Sequence, residues 1–270
     1  MTELKLGPMP AIGLGTWPLT GEAARKAVAQ AIEVGYRAID TAHGYGNEKE
    51  IGAGIRDSGI ARKDVFVTTK IWPDRLAGDE IGRAVDDSIE RIGIGPLDLV
   101  LVHWPNPDIP LAETLTALDA ARQAGKTRLI GISNFTTRLI AEAMKVGVPL
   151  FCNQVEFHPF LDQKKVLAAT RAAGLYLFAY SPTARGRVTQ SETLKTIGAR
   201  YGKTAAQVAL RWILQHDGVG YVAKSASPER MRENLATTDF TLTDAEMATI
   251  TALADGKRVV DIDVAPEWDA

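Results

Sequence analysis

The chain predicts an α/β fold: a (β/α)8 TIM barrel in a single domain over residues 1–270, with an appended C-terminal helix and tail. Three observations carry that expectation. Short apolar runs and helical patterns alternate along the whole chain, in eight strand–helix units. The runs are continuous rather than alternating, as in strands buried on both faces of a parallel sheet. Gly35, Gly59, Gly125, Gly147 and Gly174 stand just before strands, where helix C-caps and turns fall. An open doubly wound sheet is the competing architecture, but Gly13-Leu14-Gly15 is followed by Thr16-Trp17-Pro18 and then Gly21, which breaks the dinucleotide-fingerprint spacing.

The first strand is expected over residues 11–15, before a helix over 21–34 that sets Ala23, Ala27, Ala31 and Val34 on one face. Strands follow at 36–40, 64–69, 97–102, 128–132, 151–155 and 175–179, each an apolar run between turn residues. The helices between them read at about 47–56, 79–91, 111–124, 137–145 and 163–173. Two helices, 192–201 and 205–215, precede the last strand at 219–222, a further helix opens at Pro228, and the appended one covers 244–253. Thr204-Ala205-Ala206-Gln207 and Thr243-Asp244-Ala245-Glu246 are capping boxes that mark two helix starts.

Composition bounds the function. Hydrophobic residues make up 46 % and charged residues 24 %, the mix of a soluble globular protein with a substantial core. With 31 basic and 33 acidic residues, a net charge of −2 and no basic run, bulk attraction to nucleic acid or a membrane surface is not indicated. The one cysteine, Cys152, cannot form an intramolecular disulfide and reads as a core residue. No run approaches the ~18 apolar residues of a membrane span, which with the single cysteine points to the cytoplasm. No apolar stripe stands out for self-association, so a monomer is expected.

Four residues fall at or just beyond the ends of apolar runs: Asp40, Tyr45, Lys70 and His103. A closed barrel brings strand C-termini to one rim, so the four would meet there. A free phenol has a pKa of about 10, and an adjacent ammonium would lower it by favouring the phenolate. Lys70 is placed for that, and Asp40 would keep Lys70 charged. Such a set suits protonation of an oxyanion as hydride reaches a carbonyl carbon, with His103 orienting the oxygen. Taken singly, each has a plainer reading: a turn residue for Asp40, structural roles for Lys70 and Tyr45, a hydrogen-bonded rim residue for His103. A metal site at Asp40 and His103 is a weaker alternative, because His43, His158 and His216 show no paired ligand spacing.

Ser227-Pro228 reads as an N-cap and first helical residue, which leaves a helix N-terminus with free amides beside Lys224, Ser225 and Arg230. That end would hold a ribose 2′-phosphate, favouring NADPH; a solvated basic helix face is the alternative. Trp17, Trp72 and Trp104 follow strand ends and Trp268 lies in the tail. Indoles suit a pocket for a small, partly polar carbonyl compound, and equally ordinary rim packing. Trp212 falls in a helix and reads as core. Gly44 leaves room beside Tyr45 that would widen the pocket.

These segments resemble the aldo-keto reductase family over nearly the whole chain. The resemblance rests on Gly13-Leu14-Gly15-Thr16-Trp17, on residues 35–48 through Asp40 and Tyr45, on Thr69-Lys70-Ile71-Trp72 and on His103-Trp104-Pro105. Gly131-Ile132-Ser133-Asn134-Phe135, Asn153-Gln154-Val155-Glu156 and Ala179-Tyr180-Ser181-Pro182 follow in the family's order. The resemblance implies NADPH-dependent reduction with Tyr45 as general acid, Lys70 and Asp40 lowering its pKa, and His103 orienting the carbonyl. It implies that Ser133, Asn134 and Gln154 hold the nicotinamide carboxamide, that Tyr180 stacks on the ring, that Ser181 lies near the pyrophosphate, and that Glu233 and Asn234 reach the adenine. Ala223 stands where the family usually has proline, which would loosen that loop. The short loop after Trp104 and the tail Ala265-Pro266-Glu267-Trp268-Asp269 resemble the bacterial 2,5-diketo-D-gluconate reductase branch, B type. That branch implies diketo-sugar acids and small α-oxoaldehydes such as methylglyoxal as substrates. A nucleotide-binding sensor or accessory subunit without turnover, and a metal-dependent barrel hydrolase, are the competing functions.

Overall fold

Antiparallel strands β1 (Lys5–Leu6) and β2 (Met9–Pro10) open the chain as a short hairpin in the computed structural model, which describes residues 4–269. Residues 1–3 and 270, the ends of the expected domain, lie outside the described residues. Eight parallel strands then close into a barrel: β3 (Ile12–Gly15), β4 (Ala38–Asp40), β5 (Phe66–Ile71), β6 (Leu97–Val102), β7 (Thr127–Ser133), β8 (Leu150–Glu156), β9 (Tyr176–Tyr180) and β10 (Val219–Lys224). Each pairs with its sequence neighbour, and β10 closes on β3 with Tyr221 opposite Ile12. The predicted eight-stranded (β/α) barrel is therefore the observed fold.

The helices alternate with the strands as expected: α1 (Gly21–Val34), α2 (Glu48–Asp57), α3 (Gly78–Ile92), α4 (Leu111–Gln123), α5 (Thr137–Val146), α6 (Lys164–Ala172), α7 (Glu192–Tyr201), α8 (Ala205–Leu214), α9 (Pro228–Leu235) and the appended α10 (Asp244–Thr251). Thr204 and Thr243 both form complete capping boxes, each satisfying amide donors at a helix start for about 1 kcal/mol. Gly35 and Gly147 end their helices at positive φ, 124° and 77°. Trp212 is buried between α8 and its neighbours, and its Nε1 donates to Thr251 Oγ1 at 3.1 Å.

Side-chain alternation along each strand divides the barrel interior into two levels. Ala38, Phe66, Leu99, Leu101, Cys152 and Phe178 form an apolar cluster with Met9 and Leu6, so the hairpin plugs the N-terminal mouth. Continuing each strand by steps of two leads to Asp40, Lys70, His103, Gln154 and Tyr180 at the opposite end. One register rule thus places apolar residues below and polar residues above. The hairpin itself was not expected, because two-residue strands carry no readable period.

Strands run further toward the rim than their apolar runs suggest. β5 extends to Ile71, so Lys70 lies within the strand and not just beyond it. β10 stays paired with β3 through Lys224 opposite Gly15. The looser loop expected at Ala223 is therefore corrected: without proline the chain there remains a laddered strand.

Candidate active site

Asp40 is the last residue of β4, and the chain turns at once through a 3-10 turn at His43–Tyr45 that ends on left-handed Gly46. The turn folds Tyr45 back over the barrel mouth. Asn47, fully buried, holds it there: its Oδ1 accepts from Thr41 Oγ1 at 2.7 Å, and its Nδ2 donates to Leu19 O at 2.8 Å. Glu48, at the start of α2, accepts from Thr69 Oγ1 at 2.5 Å and Arg91 Nε at 2.7 Å. Asn47 and Glu48 belong to the quoted motif, but their anchoring role has no signature in periodicity.

Lys70 Nζ makes three contacts: Asp40 Oδ1 at 2.5 Å, Thr41 O at 2.8 Å and Tyr45 OH at 3.5 Å. His103 follows β6, its N–H donating to Ile71 O, and its ring centroid lies 5.5 Å from that of Tyr45. The four residues picked from the sequence therefore share one rim. Burial raises the Tyr45 pKa above the ordinary phenol value; the Lys70 charge pulls it down, and Asp40 pushes it up. Burial wins, so the net lowering expected from Lys70 is corrected to a phenol that holds its proton more firmly. Burial also acts to lower the Lys70 pKa, but Asp40 and Tyr45 override it and keep the ammonium charged. Burial and the nearby charges of Lys70 and His43 hold His103 well below its usual value, so its imidazole is neutral. His103 Nδ1 is buried without a hydrogen-bond partner.

Around this core sit the residues suited to a nicotinamide. Gln154 Nε2 donates to Asp40 Oδ2 at 2.8 Å, which turns its amide oxygen away from the carboxylate as a free acceptor. Ser133 Oγ donates to Gln154 O at 2.8 Å. Asn134, at positive φ, donates to His103 O at 2.9 Å and accepts from Tyr180 OH at 2.7 Å, which fixes the Tyr180 ring at the mouth. Ser181 follows at φ 48°, a conformation that non-glycine residues adopt at some energetic cost. Across β10, Ser227 Oγ caps α9 by accepting from Arg230 N at 3.4 Å, and Lys224 and Arg230 are exposed beside that terminus. Ser225 is buried and its hydroxyl is bonded within the loop, to Ser227 O and from Ser227 N. Its hydroxyl thereby sets the shape of the loop that leads into α9. Glu233 and Asn234 lie half-buried on α9. A flat ring platform, an open amide acceptor and a helix N-terminus flanked by two cations fit a nicotinamide nucleotide.

Four tryptophans stand around the Tyr45 and His103 rings. Trp17, 55 % exposed, lies 5.2 Å from the Tyr45 ring, and Trp72 stands edge-on to His103 at 5.0 Å. Trp104 is buried beside His103 and meets Trp268 of the tail at 6.1 Å. A Cβ on Gly44 would come 2.9 Å from Trp72 Cε3. Trp72 thus fills the space over Gly44, and the wider pocket expected there is corrected to a packed wall. Sequence reading also missed Glu156, fully buried at the end of β8: its carboxylate accepts from His158 Nε2 at 2.8 Å and from the tail amides of Val259 and Val260 at 2.7 and 2.9 Å.

Comparison with known proteins agrees with this geometry. The family model described as Aldo/keto reductase family matches residues 11–255. Methylglyoxal reductase DkgB of Escherichia coli O157:H7 is 36 % identical over 266 residues, covering 97 % of this chain and 99 % of that protein. A crystal structure described as a putative 2,5-diketo-D-gluconic acid reductase B superposes with a TM-score of 0.93 at 45 % identity, covering 98 % and 96 % of the two chains. A Bombyx mori aldo-keto reductase crystallised in complex with NADP superposes at 0.88 with 33 % identity, over 94 % and 92 %.

Proposed function

Since the chain belongs to the aldo/keto reductase family, an oxidoreductase family that uses nicotinamide cofactors, we propose that it reduces small aldehydes and ketones with NADPH. α-Oxoaldehydes and diketo-sugar acids are the substrates this reading favours, by likeness to the DkgB relative and the diketo-gluconic acid reductase neighbour. The observation that carries it is the buried Lys70 ammonium, in contact with both the Asp40 carboxylate and the Tyr45 hydroxyl.

NADPH, when bound, supplies a hydride to the carbonyl carbon. The chain does the rest. Tyr45 holds a proton at its hydroxyl and gives it to the carbonyl oxygen as negative charge builds there. Lys70 Nζ, kept charged by Asp40, stabilises the phenolate left behind. His103, neutral, donates one hydrogen bond to the same oxygen and so orients it. Gln154, Ser133 and Asn134 hold the carboxamide end, Tyr180 supports the ring, and Ser181 lies by the pyrophosphate. Lys224 and Arg230 meet the 2′-phosphate at the α9 N-terminus, with Ser225 shaping that loop and Glu233 and Asn234 toward the adenine. Trp17, Trp72, Trp104 and Trp268 enclose the substrate with His103. The same reading takes the chain as one domain acting as a monomer in the cytoplasm; no described helix is long and apolar enough to cross a membrane.

The test is NADPH oxidation with methylglyoxal and a diketo-sugar acid, in the wild type and in Tyr45→Phe. Removal of a general acid should cut kcat by about 100- to 10,000-fold while NADPH still binds. Tight NADPH binding without any turnover in the wild type would point instead to a sensor.

A further inference from the structure

We propose that Arg258, in the tail, receives the negatively charged end of a carboxylated carbonyl substrate. This rests on the reductase reading above and assigns it a specificity-determining residue. The tail is pinned to the rim at two points. Glu156 binds the amides of Val259 and Val260, immediately after Arg258. Asp269 accepts from Thr137 N at 2.9 Å and Thr137 Oγ1 at 2.6 Å, at the first turn of α5. Between these anchors the Arg258 guanidinium carbon lies 3.5 Å over the Trp268 ring. Trp268 meets Trp104, and Trp104 lies 6.3 Å from the His103 ring, so the cation stands at the outer end of the aromatic row that begins at His103.

Its hydrogen-bonding capacity is unused. Nη1 is buried with no partner, and among the described residues no carboxylate reaches ion-pair distance of it. The acids whose charge it feels are Glu156, Asp261 and Asp269, and each is bonded elsewhere. Glu156 is taken by His158 and the two tail amides, Asp261 accepts from Trp268 Nε1 at 3.0 Å, and Asp269 caps α5. Tyr180, at the mouth, lies within the field of this cation. A partly buried guanidinium with open donors is costly, and a planar carboxylate satisfies it in bidentate geometry. Lys70 cannot serve in its place, since Asp40, Thr41 O and Tyr45 surround its ammonium.

The experiment compares 4-carboxybenzaldehyde with its methyl ester, which present the same aldehyde with and without charge. In Arg258→Met, which keeps the aliphatic stem, the acid-to-ester ratio of kcat/KM should fall about tenfold or more, chiefly through KM of the acid. Arg258→Lys, which keeps the charge but not the fork, should fall between the wild type and Arg258→Met. In the unmodified chain, added NaCl should raise KM for the acid and not for the ester. An unchanged ratio in Arg258→Met overturns the proposal, as does an equal salt response for both aldehydes. A loss of NADPH affinity with the ratio intact also overturns it, by assigning the anion to the cofactor. A wild type that reduces neither these aldehydes nor methylglyoxal ends both readings; one that reduces both aldehydes, with a ratio indifferent to Arg258, ends this one alone.

Discussion

Gln154 donates to one oxygen of Asp40 while Lys70 takes the other, so a single buried carboxylate joins the ammonium beside Tyr45 to the amide of β8. Both contacts lie within 2.8 Å. Replacing Gln154 with Leu leaves Asp40 Oδ2 unsatisfied, at a cost of about 1–3 kcal/mol. Denaturant unfolding should show that loss, and NADPH affinity should fall with it. Unaltered stability would mean that the bond is not made in solution.

Lys70→Met removes the cation from a buried pair and leaves a carboxylate without its countercharge. A destabilisation of about 3–5 kcal/mol is expected, larger than for surface ion pairs. Turnover should collapse as well. In any residual activity the alkaline limb should move upward, because the charge that pulls the Tyr45 pKa down is gone. A kcat–pH profile of the variant checks this.

Two groups set the pH behaviour of the wild type. Burial raises the Tyr45 pKa above about 10, so the reducing activity should stay level across the neutral and mildly alkaline range and fall only as pH rises through that higher value. His103 is the opposite case, a histidine whose folded pKa is depressed by burial. The unfolded chain protonates it first, so its neutral burial favours the fold above about pH 6.5 and that contribution is lost as pH falls toward the folded value. Melting temperatures recorded down this range should drop less steeply in His103→Gln than in the wild type.

Glu156 ties the tail to the rim through two accepted hydrogen bonds, from the amides of Val259 and Val260, and its carboxylate is held in turn by His158. Glu156→Gln replaces one acceptor oxygen with an N–H group facing a donor. Tail amides from 259 onward should then exchange hydrogen faster, and KM for carbonyl substrates should rise as Trp268 loses its position. The barrel core should hold its exchange protection; if core and tail loosen together, Glu156 supports the whole fold and not the tail.

What the sequence determined was the repeating part of the molecule. Apolar runs, capping boxes at Thr204 and Thr243, and the glycines before strands each report on one local element, so the eight barrel strands, the helices between them and closure follow from them. The same regularity put Asp40, Lys70 and His103 on one rim, because strands pointing the same way share an end. Tertiary structure decided whatever depends on distant neighbours. The acidity of Tyr45 is set by how completely the surrounding chain excludes water, which outweighs the lysine beside it. The space at Gly44 belongs to Trp72, the plug at the N-terminal mouth to Met9 and Leu6, and the tail to Glu156, more than a hundred residues upstream. Periodicity describes a residue's own helix or strand; desolvation and packing are properties of the groups folded against it, and those are set only when the barrel closes.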